Sequence, residues 1–215
     1  MREGAQTVSS AEPTGSFRFL QRFIGRPNGD EPCELCGTGL FAGHDHVLEL
    51  PNRRLHCVCR PCAILSPIAR GDTYRCIPRT IRFLPDLRMS EWQWDRFKIP
   101  VNLAFFYANS TIGKITAGYP SPAGPIETVI DQDAWQSLVA DNPILTNVMP
   151  DVEALLVNRI ENRSEYFTVP MDHCFRLIGL MRTSWHGLSG GSEAKRELDA
   201  FFEWVKEQAH AGTSF

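Results

Sequence analysis

Two pairs of cysteines constrain this chain more than any other feature of its sequence. The first pair is Cys33-x-x-Cys36, followed at once by Gly37, and the second is Cys59-x-x-Cys62, with 22 residues between the pairs. The Cys-x-x-Cys spacing points both sulfurs of a turn toward one point, and two such turns supply the four soft ligands that a tetrahedral zinc or iron ion needs. The sequence therefore predicts a metal site formed by Cys33, Cys36, Cys59 and Cys62.

The segment between the pairs has the pattern of a hairpin. HVLEL and LHCVC read as strands on either side of the turn PNRR, which would carry the second cysteine pair back to the first. CRPC reads as a second turn, and DTYRCIP as a further strand. Segments this short bury little apolar surface, so we expect a metal ion to help hold them together. Gly37 fits a tight turn whose backbone conformation glycine adopts freely.

The sequence does not decide every ligand of the metal site, because another thiol and three imidazoles lie close to the two pairs. Cys57 is a third thiol near the second pair; it could replace Cys59, act as a fifth thiol for exchange, or face the hairpin core, which is the commonest outcome. His44, His46 and His56 are close in sequence, but histidines in such loops are more often solvated surface residues. The alternative to a metal site is a set of reduced, buried structural cysteines.

The identity of the ion depends on arguments weaker than spacing. Zinc would make the centre structural and redox-silent, whereas iron would make it a one-electron centre of the rubredoxin kind. The rest of the chain lacks the compact aromatic core of a free-standing rubredoxin, which favours zinc. Four thiolates around a divalent ion leave net negative charge. Arg53, Arg54 and Arg60 lie in the same hairpin, where they either offset this charge or are solvated turn residues.

Composition limits the classes of partner. The 215 residues carry a net charge of -3 with a pI near 6.1, so no surface for neutralising phosphates is indicated and nucleic acid is not the expected partner. The N-terminus has no signal-like apolar run, and no stretch reaches the roughly 20 apolar residues that span a membrane, so we predict a cytoplasmic protein. In a reducing compartment, its seven cysteines are expected to bind metal rather than form disulfides.

The periodicity predicts an α+β fold in three parts. We expect a disordered tail over 1–16, a zinc-ribbon-like module over 17–79, and a mixed α/β domain with a small antiparallel sheet and C-terminal helices over 80–215. The predicted strands of that domain are 80–84, 101–109, 114–120, 127–130, 151–160 and 165–170. Its predicted helices are 90–97, 131–142, 171–185 and 192–209, the last capped by Ser192.

Other candidate sites favour binding over catalysis. Residues 187–191, GLSGG, match the letters of a nucleophile elbow, but the segment before Ser189 reads as helix and the only later histidine is His210, near the end of the chain. Cys174 beside His173 could serve a second metal or act as a nucleophile, yet a core cysteine on an amphipathic helix is the commoner case. We therefore predict no catalytic residues.

Several runs of the sequence together resemble a known family. They are CELCG, LHCVCRPC, IPVNLAFFY, YPSPAGPIET, DVEALLVNR and RLIGLMRTSWHGLSGG. From about Cys33 to Ala209 the chain resembles an uncharacterised bacterial domain family encoded beside uptake nickel-iron hydrogenase genes. The resemblance implies an accessory role, which is to help assemble a hydrogenase, deliver metal to it, or pass electrons to or from it. Our leading hypothesis is a non-enzymatic accessory protein that acts through protein partners, such as hydrogenase subunits or maturation factors. A rubredoxin-like iron electron carrier is the alternative function.

Overall fold

Two sheets organise the chain. The structure is a computed structural model that describes residues 31–69, 71, 73–121, 125–184 and 191–211. Within these residues a three-stranded sheet with one helix precedes a six-stranded sheet that has two helices on each face. The predicted α+β class is therefore confirmed, whereas the predicted tail over 1–16 and the first part of the module lie outside the described residues.

The N-terminal module is a hairpin followed by a helix and a third strand. Its elements are β1 (Asp45–Glu49), β2 (Arg54–Val58), α1 (Arg60–Ala69) and β3 (Tyr74–Cys76). The strands pair antiparallel in the order β2-β1-β3. The predicted hairpin is confirmed, but the prediction that CRPC forms a turn is wrong, because these residues enter helix α1.

The second sheet is antiparallel throughout, in the order β4-β9-β8-β5-β6-β7. Its strands are β4 (Arg82–Phe83), β5 (Leu103–Asn109), β6 (Lys114–Tyr119), β7 (Ile126–Val129), β8 (Glu153–Asn158) and β9 (Glu165–Pro170). Each lies within one of the predicted strand segments or begins one residue before it. All six predicted strands belong to this one sheet, in an order that the sequence did not predict.

Four helices cover the second sheet. They are α2 (Glu91–Phe97), α3 (Gln132–Asp141), α4 (Met171–Ser184) and α5 (Gly191–Ala211). Ser90 caps α2, accepting a hydrogen bond from Gln93 N, and Asp131 caps α3. Helix α5 begins one residue before the predicted cap Ser192, whose side chain lies outside the described residues.

The core follows from the alternation of side chains along the central strands. In β5, Leu103, Phe105 and Tyr107 point to one face and pack with α4 and α5. Ala104 and Phe106 point to the other face and pack with α2 and α3. Both faces of the strand are buried, which explains its nearly continuous apolar sequence.

The two sheets share one hydrophobic core. Leu48 and Leu55, which face each other across β1 and β2, belong to the same buried cluster as α4 and α5. The fully buried Asp151 of the second unit pairs with Arg75 at 3.4 Å and Arg53 at 3.7 Å, both from the module. The predicted boundary at residue 79 stays a prediction, since the core continues across it.

Candidate metal centre

The first cysteine pair lies in a tight backbone turn. Cys33 N donates to Thr38 O at 2.7 Å, and Gly37 N donates to Cys33 O at 2.8 Å. Gly37 has a φ of +80°, which a residue with a Cβ adopts only under strain, as its place after the pair predicted. These bonds fold the knuckle, residues 31–40, so that Cys33 and Cys36 present their sulfurs on the same side.

The second pair spans the end of a strand and the start of a helix. Strand β2 ends at Val58, Cys59 follows, and Cys62 lies in the first turn of α1, where Ala63 N donates to Cys59 O at 2.9 Å. Pro61 suits this first turn, because the amide hydrogen it lacks would have no partner there. The free amide groups of a helix N-terminus favour negative charge, so this position suits thiolates.

The four predicted ligands meet at one place. Their sulfur atoms all lie within 4.8 Å of one another, and Cys36 Sγ is 3.6 Å from Cys59 Sγ. A tetrahedral ion with metal–sulfur bonds of about 2.3 Å would hold neighbouring sulfurs roughly 3.8 Å apart. A disulfide would need a separation of about 2.0 Å, and all seven cysteines are free. The cluster could therefore hold a metal ion.

The four thiols affect one another's pKa values. The Thr38 hydroxyl and backbone lower the pKa of Cys36 to about 6. Burial, and then the neighbouring thiols Cys59, Cys36 and Cys33, raise the pKa of Cys62 far above its usual value. Four crowded thiols cannot all ionise by themselves, because each new negative charge opposes the next, and a divalent cation removes this opposition.

The nearby arginines pair with carboxylates rather than with the thiols. Arg54 pairs with Glu34 at 3.3 Å, and Arg60 pairs with the buried Asp45 at 3.3 Å. Arg53 pairs with Asp151 and lies over the Tyr107 ring at 4.4 Å. The described contacts thus give the three side chains structural partners and do not support the hypothesis that they offset thiolate charge.

Comparison with known proteins assigns the chain to a family. Residues 32–209 match a family described as "Family of unknown function (DUF5947)". The chain belongs to this family. The matched segment contains both cysteine pairs and nearly all of the described fold, but membership assigns no activity. No curated protein and no solved structure matches the chain.

A second cluster within the family segment contains His44, His46 and Cys57. One ligand atom of each lies within 4.8 Å of the others, and the two imidazole rings meet edge to face at 4.9 Å. His46 and Cys57 are direct partners across β1 and β2, so their side chains share a face of the sheet. Cys57 therefore belongs to this cluster and not to the four-cysteine centre, which the linear spacing left open. The hairpin predicted around PNRR puts Cys57 on the same face as His46, but a turn of those four residues would pair His46 with Cys59. The structure instead pairs Glu49 with Arg54 and therefore His46 with Cys57, a register that the sequence did not predict.

Charged partners perturb both members of that strand pair. Burial lowers the pKa of His46, but the Asp172 carboxylate at 2.9 Å and Cys57 raise it more, to about 9. Burial raises the pKa of Cys57, but hydrogen bonding to His44 and His46 lowers it more, to about 7. The two shifts are reciprocal, because a negative Cys57 stabilises the charged form of each imidazole and a charged imidazole stabilises the thiolate.

His56 has a different role from the other two histidines. It lies on the opposite face of β2, with Nε2 3.0 Å from Glu49 and Nδ1 3.3 Å from Glu34. Hydrogen bonding to Glu34, opposed in part by burial, raises the pKa of His56. It is neither a ligand of the cysteine centre nor a solvated surface residue, but ties the knuckle to the hairpin through Glu34.

The remaining sequence candidates are Cys174 and the GLSGG segment. Cys174 is buried in the main core, and burial raises the pKa of its thiol well above the usual value, as expected of a structural cysteine. Most of the GLSGG segment, including Ser189, lies outside the described residues. Among the described helices, none has the length and apolar character needed to cross a membrane.

Proposed function

We propose that the chain is a metal-binding accessory protein whose four-cysteine centre holds a structural zinc ion. The observation that carries the proposal is the convergence of four sulfurs from two segments 22 residues apart within 4.8 Å of one another. A structural zinc site is closed by four protein ligands, and a set of four thiolates meets that requirement without an open position for substrate.

The surroundings of the centre favour a structural role. The knuckle buries only Cys33 and Leu40, and its described backbone–backbone bond to the rest of the module is Glu34 N donating to Cys57 O. The other described contacts of the knuckle with the hairpin come from the Glu34 side chain, which accepts from Cys57 N and pairs with Arg54 and His56. A metal ion would join the knuckle to the start of α1 by binding two sulfurs from each segment. Iron in the same four thiolates, as in a rubredoxin-like electron carrier, is the alternative.

Elemental analysis and a visible spectrum of the anaerobically purified, untagged chain distinguish these functions. We expect a colourless protein with zinc that Cys62→Ser loses from this centre. Cys76→Ser is the matched control, since Cys76 is a partly buried thiol of the same module outside both clusters. A red protein with thiolate-to-iron absorption would support the electron carrier. Full metal retention in Cys62→Ser would refute the site.

We propose further that the accessory role involves a hydrogenase subunit or maturation factor. This partner rests on the family resemblance of the sequence. A feature compatible with docking is the exposed side of α1, where Ile64, Leu65 and Ile68 are large apolar side chains directly after the metal centre. Exposed apolar groups gathered on one element often mark a protein interface.

Crosslinked pull-down from cells that express the hydrogenase tests the partner. We expect the wild-type chain to capture a hydrogenase subunit or maturation factor, and Ile68→Ser to reduce the capture. Ile144→Ser is the control, because Ile144 is also an exposed isoleucine but lies outside the module. Absence of every hydrogenase component from the wild-type capture would contradict the partner. Equal capture by both variants would exclude α1 as the contact surface.

A further inference from the structure

We propose that His44, His46 and Cys57 form a second metal site, which binds a divalent transition ion such as zinc or cobalt(II). One ligand atom from each residue lies within 4.8 Å of the others, so a single ion can reach all three. Two imidazoles and a thiolate are ligands that zinc and its neighbours accept. The site shares no residue with the four-cysteine centre and does not depend on the function proposed above.

Both imidazoles are held in an orientation that suits ligation. His44 Nδ1 lies 3.2 Å from Phe41 O, and His46 Nδ1 lies 2.9 Å from Asp172 Oδ2. A neutral ring that donates through Nδ1 carries its lone pair on Nε2, so a metal ion that displaces the second proton of a charged ring binds at Nε2. His44 Nε2 is buried, and the His44 side chain lies within hydrogen-bonding reach of the Cys57 thiol. The ring nitrogen needed for a ligand is therefore buried, on a ring that lies close to the third ligand of the proposed site.

The strand pairing supplies the third ligand. Cys57 N donates to Glu34 Oε2 at 3.0 Å, and Cys57 O accepts from Glu34 N at 2.9 Å. The backbone polar groups of Cys57 thus point away from β1, which makes His46 and Cys57 a non-hydrogen-bonded pair. Side chains of such pairs approach more closely than those of hydrogen-bonded pairs.

Asp172 supports the proposed site from outside the module, because its carboxylate holds the His46 ring in place. It lies in the first turn of α4, so the carboxylate that orients His46 comes from the helical layer of the second unit. A carboxylate behind a ligating histidine fixes its tautomer and raises its basicity, as in many zinc sites. Three protein ligands would leave a fourth position of a tetrahedral ion for water or an external ligand, unlike the closed four-cysteine centre.

Metal titration of the untagged full-length chain tests the proposal. The chain is stripped under anaerobic, reducing conditions and titrated with cobalt(II), and bound metal is measured by elemental analysis and by thiolate-to-cobalt absorption. We expect two equivalents for the wild type, and one for Cys57→Ser and for His44→Gln. Cys76→Ser should keep two. Saturation of the wild type at the four-cysteine centre alone, or two equivalents in both site variants, would overturn the second site.

Three further measurements test the fold of a site variant, the independence of the two sites and the role of Asp172. Circular dichroism should show that His44→Gln keeps the wild-type secondary structure, since His44 precedes β1 and belongs to no strand. Cys62→Ser should lose the cysteine-centre equivalent and keep the other, so failure of the first site is seen separately. Asp172→Asn should weaken cobalt affinity at the second site by roughly 10- to 100-fold and leave the first unchanged. Equal weakening at both sites, or none, would contradict the positioning role of Asp172.

Discussion

Removal of metal from the four-cysteine centre should unfold the knuckle and leave the rest of the chain folded. The knuckle buries two apolar side chains, Cys33 and Leu40, which together stabilise it by roughly 4 kcal/mol. Five hydrogen bonds donated by backbone amides, within the knuckle and to or from Cys57, add about 5 kcal/mol at a typical net value near 1 kcal/mol each, and the pairs of Glu34 with Arg54 and His56 add about 1 kcal/mol each. Ordering its backbone, at about 1–2 kcal/mol per residue, costs about 10–20 kcal/mol over residues 31–40.

These magnitudes leave the metal-free knuckle with no net stability. Apparent binding free energies of about 10–16 kcal/mol for structural zinc exceed that shortfall. The hairpin is in a different position, because Leu48, Leu50 and Leu55 are buried in the main core. We therefore expect metal loss to release the knuckle and the first turn of α1 but not β1 and β2.

Hydrogen–deuterium exchange with mass spectrometry measures this directly. The chain is compared with and without a chelator, and Cys36→Ser is compared with the control Cys76→Ser. Peptides covering 31–40 should lose protection after chelation and in Cys36→Ser, whereas peptides covering 103–109 and 153–158 should not change. Persistent protection of the knuckle in metal-free protein would refute the reasoning, and loss of protection throughout the second sheet would show that the module supports the whole fold.

Two further predictions concern the second unit. A Cβ at Gly118 would lie 2.2 Å from the Phe105 ring, so Gly118→Ala should lower the free energy of unfolding in denaturant by about 1–3 kcal/mol. Gly179→Ala on α4 is the control and should not lower it, because the space around a Cβ there is open. A hydrogen bond from the backbone amide of Ala134, and to a lesser extent the Arg96 side chain, lowers the pKa of the Asp131 cap below its ordinary value of 3.8. The ionised Asp131 carboxylate therefore stabilises the chain above pH 3.8, and this stabilisation is lost as the pH falls through the lowered pKa. Asp131→Asn should remove this part of the acid dependence of thermal unfolding, and an unchanged dependence would contradict it.

Periodicity was sufficient for most of the second unit. Strand β5 is apolar on both faces and α5 places Leu198, Phe202 and Val205 toward the core, so both elements were predictable from local pattern. The order of strands was not, because β4 and β9 pair across more than 80 residues and nothing local specifies that contact. The sequence therefore predicted elements better than their arrangement.

The module shows a different limit. The spacing of the cysteines predicted the four sulfurs that meet, but by itself it left Cys57 open as a replacement for Cys59. Helix α1 was missed because Pro61 and Pro67 weaken its helical signal, although a proline in the first turn is compatible with a helix. The role of Asp172 could not be predicted, because it lies more than 100 residues from His46 in sequence.

The start of helix α1 decides which thiol joins which cluster. If β2 continued through Cys59, the alternation of a strand would place Cys57 and Cys59 on the same face, toward the second unit. The strand instead ends at Val58 and the helix begins at Arg60, so the chain turns at Cys59 and its sulfur meets Cys36 at 3.6 Å. Cys57 keeps the strand geometry and remains opposite His46. A short stretch of chain can thus supply thiols to two clusters because its secondary structure changes between them.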